Sequence, residues 1–213
     1  MPAIDLTAAE RDAHEATGRD PRARILTATI ACLARFGVTK TTLDDVAQEA
    51  GCARATIYRY FPGKRALVLA AADREVDALI TRTIAAGEQA ETLEDAITEM
   101  TTTATRELDG HRALQLALAH EPELVLPHLS FEGGDHLLVE AGRRFGPALE
   151  RFLPRERAER VAEWCARLVL TQLRPDSAMV DMTDVVAVRR LVHQFVMPGL
   201  EATAPETDAP SRR

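Results

Sequence analysis

Aromatic residues are scarce in this chain, only 4% of 213 positions, and alanine and leucine dominate the 46% that is apolar. That is a helical palette, so an all-α protein is expected. No run of about 18 uncharged apolar residues exists, which excludes a membrane-spanning helix. The opening "MPAIDLTAAERDAHEATGRD" has neither the basic start nor the apolar centre of a signal peptide, so a cytosolic location is expected. Cysteines are few as well: Cys32, Cys52 and Cys165 are widely spaced, without a CxxC pair, which sets aside a disulfide framework and a zinc ribbon. His120, His128 and His136 recur at eight-residue intervals, but more than two helical turns and several breakers separate them, so no metal site is expected. Also missing are a serine, histidine and carboxylate grouping, a glycine-rich phosphate loop and paired catalytic acids; neither enzymatic activity nor a cofactor is expected.

What is present is an uneven charge. The net charge is −7, yet residues 20–66 hold eight Lys/Arg against four acids, a local +4 that leaves −11 for the rest. A basic segment on an acidic body suits a part that meets a polyanion while the remainder avoids it.

Helical periodicity runs through most of the sequence. Ile25, Leu26, Ile30, Leu33 and Phe36 follow three- and four-residue steps, and Gly37 stands where a left-handed C-terminal cap would end a first helix. Thr42 can cap a second helix whose first turn carries Asp44 and Asp45, and Gly51 ends it. A short third helix covers "RATIYRYF". After "PGK", a long fourth helix from Lys64 to about Ala86 places Leu69, Ala72, Val76, Leu79 or Ile80, and Thr83 on one face. Further helices are predicted over 92–108, 111–119, 122–128, 134–152, 155–173 and 183–197, punctuated by Gly110, Pro122, Pro127, Gly133-Gly134, Pro154, Pro175 and Pro198. Residues 1–18 and the tail 201–213 lack periodicity and are expected to be disordered.

The stretch "TLDDVAQEAGCARATIYRYF", residues 42–61, has the residue sizes a helix-turn-helix requires. Ala47 allows close crossing of its helices and Gly51 supplies positive φ in the turn. Val46, Ala50, Cys52 and Ile57 face inward, leaving Arg54, Ala55, Thr56, Arg59 and Tyr60 outward, where they can enter a major groove. From Arg24 to Leu67 the segment resembles the DNA-binding domain of the TetR family of bacterial regulators, through "IL.A", the "FG" turn, "TTLDDVA", "AGCARATIYRYF" and "GK..L".

That resemblance implies an N-terminal three-helix DNA-binding domain, residues 19–79, joined by a long helix to a C-terminal helical domain, residues 80–200, for effector binding and dimerisation. It further implies that Thr42, Tyr58 and Lys64 hold phosphates while Arg54, Ala55 and Thr56 approach bases or backbone. Three departures stand out: Ala53 replaces the family's usual capping serine, Ala55 its glycine and Tyr60 its histidine. Losing a serine cap removes roughly 1 kcal/mol of helix stabilisation. For the C-terminal domain, Met100, Leu118, Phe131, Phe145 and Trp164 are candidate walls of an effector pocket favouring a mostly apolar ligand. Val161, Trp164, Cys165, Leu168, Val188, Leu191, Val192 and Phe195 lie on two amphipathic helices, where the resemblance puts a homodimer interface; the same stripes also fit core packing. The expected partners are an operator in double-stranded DNA, a second copy of the chain and an unknown small-molecule effector, with no membrane. The first functional reading is a ligand-responsive repressor, the second an activator or a regulator answering to a protein partner, and the third a helical carrier or enzyme in which the basic segment is incidental.

Overall fold

The computed structural model describes residues 20–129, 131–173 and 180–201, with side chains 126–137 and 201 left outside that set. The expected arm 1–18, nearly all of the tail 201–213, and the side chains of Phe131, His128 and His136 therefore lie outside the described residues. Within them, all regular structure is helical. Two compact units form, the first from the residues up to Ala78 together with His111–Pro127, the second from Leu79–Gly110 and the residues after Pro127. This corrects the contiguous C-terminal domain expected over 80–200, because 111–127 packs with the first unit instead.

The first unit begins with α1 (Pro21–Lys40), started by Asp20, whose carboxylate accepts from the Arg22 N–H at 2.9 Å, with Pro21 at the first helical position. Gly37 interrupts it at φ 79°, but ψ is 174°, so the glycine makes a sharp kink rather than the expected left-handed cap. Helices α2 (Leu43–Glu49) and α3 (Arg54–Tyr60) follow, then α4 (Lys64–Glu88), whose residues to Ala78 belong here. Ile25, Leu26, Val46, Ile57, Phe61, Leu67 and Ala71 form the core. Helix α6 (Arg112–His120) packs on α1, and α7 (Pro122–Leu129) begins directly after it. Phe36 departs from the expected stripe and is exposed, with the Arg35 guanidinium 5.2 Å over its ring. On α4 the buried face carries Leu67 and Ala71, while Leu69, Ala72 and Val76 are exposed. Leu67 and Ala71 join Ile25, Leu26, Val46 and Ile57 in the core of the first unit.

The second unit holds the rest of α4, then α5 (Leu93–Gly110), α8 (Phe131–Phe145), α9 (Arg155–Thr171), α10 (Val185–Leu191) and α11 (Met197–Glu201). Ala96, Ile97, Leu149, Ala158, Val161, Val188 and Val192 make its core. The helix expected over 134–152 instead starts at Phe131, runs through Gly133-Gly134, and gives way to a tight 3₁₀ turn at Gly146–Leu149, where Pro147 supplies no N–H for an α-helical bond. Pro198 does not end the last helix. A π-helical turn, Val192–Val196, precedes it, and this wider turn relieves the clash between the proline ring and the preceding carbonyl.

Candidate nucleic-acid interface

A rigid inner frame aims the outer face of the helix-turn-helix. Thr42 and Asp45 cap α2 reciprocally: the Asp45 N–H donates to Thr42 Oγ1 at 3.1 Å and the Thr42 N–H to Asp45 Oδ2 at 2.8 Å. The Thr42 hydroxyl also donates to Asp45 Oδ2 at 2.6 Å, and these bonds hold the Asp45 carboxyl below the usual carboxylate range. Gly51 sits at φ 60°, as the turn requires, and the Cys52 N–H returns to the Ala47 carbonyl at 3.0 Å. A clamp absent from the sequence-based reading closes the turn from α1, where Arg24 Nη2 donates to the Ala50 carbonyl at 2.6 Å and the Gly51 carbonyl at 3.3 Å. Beneath, Ile57 is fully buried and Phe61 nearly so.

The start of α3 lacks a side-chain cap, in keeping with Ala53 at that place, yet the helix begins at Arg54 and the Thr56 N–H meets the Ala53 carbonyl at 2.8 Å. Burial of Ile57 compensates for the missing cap. Arg54, Ala55, Tyr58 and Arg59 are exposed, and Thr56 and Tyr60 half-buried. Neither arginine extends unengaged into solvent: Arg54 Nη1 donates to Asp44 Oδ2 at 3.0 Å and Nη2 to Tyr58 Oη at 3.2 Å, while Arg59 Nη2 reaches Tyr60 Oη at 3.4 Å. The guanidinium carbons lie 5.6 Å and 5.1 Å from the Tyr58 and Tyr60 ring centroids. To bind a base or a phosphate, Arg54 must exchange an exposed carboxylate for it, so Asp44 is a competitor that a polyanion displaces.

At the head of α4, Lys64 Nζ donates to the Thr39 carbonyl at 2.8 Å. The same short loop is gripped from α6: the Glu121 carboxylate accepts from the Val38 N–H at 2.6 Å and the Thr39 N–H at 2.7 Å. Partial burial works against the charged form of Glu121. The bonds from Thr39 and Val38 and the nearby Lys64 charge outweigh it, and the carboxyl is held below its ordinary value. A Cβ on Gly37 would stand 2.9 Å from Glu121 Oε2, so the kink needs glycine for space as well as for φ. Sequence reasoning missed Glu121 because its partners lie 82 and 83 residues away.

In the second unit the structure separates residues that the sequence grouped. Val161, Val188 and Val192 are buried in the core, and Leu168 and Leu191, partly buried, pack against it, so these five members of the expected dimer stripe have contacts within the monomer. Cys165 also turns inward. Although the residue is partly exposed, burial pushes its thiol up to about 12, only slightly opposed by a hydrogen bond with Thr101. Trp164 and Phe195 remain outside, 38% and 71% exposed, beside an open groove of about 320 Å³ between α9 and the C-terminal helices, with Arg157 and Arg160 at its edge. Of the expected pocket walls, Met100 is buried in the second unit and Phe145 packs against its core, whereas Leu118 belongs to the first unit.

Comparison with known proteins bears on both units. Residues 25–71 match the family described as bacterial regulatory proteins, tetR family. The transcriptional repressor KstR of Mycobacterium tuberculosis is 38% identical over 82 residues, covering 37% of this chain and 37% of KstR. KstR of Rhodococcus jostii is 36% identical over 76 residues, 36% of each chain. The chain thus spans little more than a third of the curated relatives it matches. Among solved structures, the TetR-family repressor AlkX from a Dietzia strain, implicated in n-alkane biodegradation, aligns with a TM-score of 0.63 at 22% identity, over 86% of this chain and 97% of AlkX. FadR of Bacillus subtilis in complex with stearoyl-CoA aligns with a TM-score of 0.54 at 17% identity, over 79% and 96%. The fold of these regulators therefore extends through both units.

Proposed function

Because residues 25–71 form an N-terminal domain of the tetR family of bacterial regulatory proteins, we propose that this protein is a homodimeric transcriptional repressor, released from an approximately palindromic operator by a mostly apolar small molecule. The observation that carries the reading is the outward face of α3, where Arg54, Tyr58 and Arg59 are exposed on a helix anchored by buried Ile57. In a major groove Arg54 reads guanine through two hydrogen bonds and the Thr56 methyl meets thymine, while Thr42, Tyr58 and Lys64 hold phosphates.

A seven-residue helix reads few base pairs, so a second copy is needed, with half-site centres about 34–36 Å apart or a multiple of that spacing. Trp164 and Phe195 are the exposed apolar anchors for that partner. Repression rather than activation is the reading supported by the relatives described as repressors. Control by a small molecule is supported by the stearoyl-CoA complex of FadR.

Release is carried by chain connectivity. Helix α4 starts at Lys64 in the first unit and ends in the second, and residues 111–127 return to the first unit with chain leading into the second at both ends. A ligand that favours a second-unit conformation incompatible with this arrangement weakens operator binding, and a tenfold loss requires about 1.4 kcal/mol of coupling. The test is binding-site selection on random DNA, followed by effector affinity measured with and without the selected operator. Reciprocity requires the two affinities to differ by the factor of release; equal values, or a monomer on a single half-site, overturn the proposal.

A further inference from the structure

The first turn of α2 carries two adjacent acids with different partners. Asp45 closes the capping box with Thr42. Asp44 takes no part in that box; its carboxylate reaches across the turn to α3 and accepts from Arg54 Nη1 at 3.0 Å, ten residues away in sequence. An acid anywhere in a first turn complements the helix dipole, so the dipole accounts for the presence of Asp44 but not for its hold on Arg54. From the other side Tyr58, one turn along α3, accepts from Arg54 Nη2 at 3.2 Å and sets its ring centroid 5.6 Å from the guanidinium carbon. Both terminal nitrogens of Arg54 are therefore engaged within the protein itself.

Of Arg54, Arg59 and Lys64, the cations assigned to DNA, Arg54 is the one whose hydrogen-bond partner carries a charge. Arg59 bonds the Tyr60 phenol and Lys64 the Thr39 carbonyl. The Arg54 pair stands in water, with 51% of the arginine side chain and 68% of the aspartate side chain exposed. An ion pair so placed is weak, and a phosphate or a guanine edge can take the guanidinium from it. Position adds a second effect. Asp44 lies two residues from Thr42 at the start of α2, so a displaced carboxylate stays beside the phosphate assigned to Thr42, where like charges repel.

We propose that Asp44 is an internal mimic of a DNA phosphate, an autoinhibitory contact on Arg54 that limits how tightly the protein grips a duplex without itself reading sequence. This inference rests on the reading of α3 as the helix that enters the groove. In the free protein the pair adds no net charge, so when Arg54 neutralises a phosphate it frees a carboxylate, and the gain from counterion release is largely cancelled. Operator and random duplex both meet this cost when they engage Arg54, but a random duplex can instead forgo the contact and leave the pair intact. Removing the Asp44 charge therefore tightens operator at least as much as random DNA, and the preference for operator does not fall. An operator gripped less tightly is also vacated with a smaller shift in affinity from an effector.

The experiment uses the full chain, as wild type, Asp44→Asn and Asp44→Glu, on the duplex that wild type selects from random DNA and on a scrambled duplex of equal length, at several salt concentrations. Asp44→Asn is expected to bind the selected duplex about fivefold more tightly, the upper range for an exposed ion pair, and to steepen the salt slope by about one. Asp44→Glu keeps the charge and is expected to stay near wild type. In an Arg54→Ala background the gain from Asp44→Asn should shrink to about twofold or less, because the group it frees is gone. Asp73→Asn removes an exposed acid from α4 and is expected to change affinity by less than about twofold, which separates a local contact from net charge. Unchanged or weaker binding by Asp44→Asn overturns the proposal, while the reading of α3 stands on the wild-type preference for its selected duplex. A gain that persists in full with Arg54→Ala makes Asp44 a direct repeller of DNA, and a fall in preference makes it a buttress that stays on Arg54 in the complex; either overturns the internal mimic. Wild type without preference for any sequence overturns both the proposal and the reading beneath it.

Discussion

Removing the Glu121 carboxylate tests whether residues 111–127 are locked to the kinked end of α1. In Glu121→Ala the N–H groups of Val38 and Thr39 lose an ionised acceptor held at 2.6 Å and 2.7 Å. Hydrogen bonds to charged groups contribute roughly 1.5–3 kcal/mol each, but the Thr39 N–H is at the surface, where water replaces the carboxylate, so the loss comes chiefly from half-buried Val38. A net destabilisation of about 1–3 kcal/mol follows, and a chain of this size loses about 2–4 °C of melting temperature for each kcal/mol. Glu121→Gln falls in the same direction, because its amide keeps one acceptor and turns a donor toward the second N–H. Calorimetry supplies the melting temperature, and hydrogen exchange should show faster exchange at Val38 and Thr39. The pH dependence has a fixed sign. Since the folded carboxyl titrates below its ordinary value, its contribution is complete above the unfolded value of about 4.3 and is lost as pH falls through the lower folded one. The difference between wild type and Glu121→Gln is therefore constant from pH 7 to 5 and closes in stronger acid. Equal melting temperatures at pH 7, or a difference undiminished in acid, would refute the latch.

Arg54→Ala should reduce discrimination between operator and random DNA by about 1–3 kcal/mol, whereas Lys64→Ala should weaken both about equally and lower the salt slope by about one, as titrations at several salt concentrations would reveal. Gly51→Ala places a side chain at φ 60° and should cost about 1–2 kcal/mol of stability, visible in denaturant melts; an unchanged midpoint would mean the turn is not fixed. Phe195→Asp puts a charge on the most exposed large apolar residue of the described chain and should shift sedimentation from dimer to monomer while leaving helix content intact.

The helix-turn-helix was legible because its determinants are local. Gly51, Thr42 with its acidic first turn, and the Val46 and Ile57 positions act within a few residues of one another, and the structure places them as their chemistry requires. Local information failed where distant partners decide. Phe36 continues the stripe of α1 but lies outside it, and the first turns of α4 bury Leu67 and Ala71 rather than Leu69, Ala72 and Val76, although Ile80 and Thr83 of the expected series are buried further along. Pattern alone does not tell an exposed apolar face from a buried one when both carry Leu and Val.

The second unit was less legible for a related reason. Within α9, Val161 enters the core, Cys165 points its thiol at Thr101, and Trp164 stays at the surface. One amphipathic stripe therefore contains residues of three environments. The same ambiguity hides the polar interior, since "TTTATRE" reads as a neutral helical run in sequence, and only the burial of Thr102 beside partnered Thr101 and Thr105 exposes an unmet hydroxyl. Sites built from α-helices in which each element contributes one or two groups leave no contiguous motif; recognition of DNA by one continuous segment does. The helix-turn-helix can thus be read from one continuous segment, while the packing of the second unit is decided by partners that no contiguous motif records.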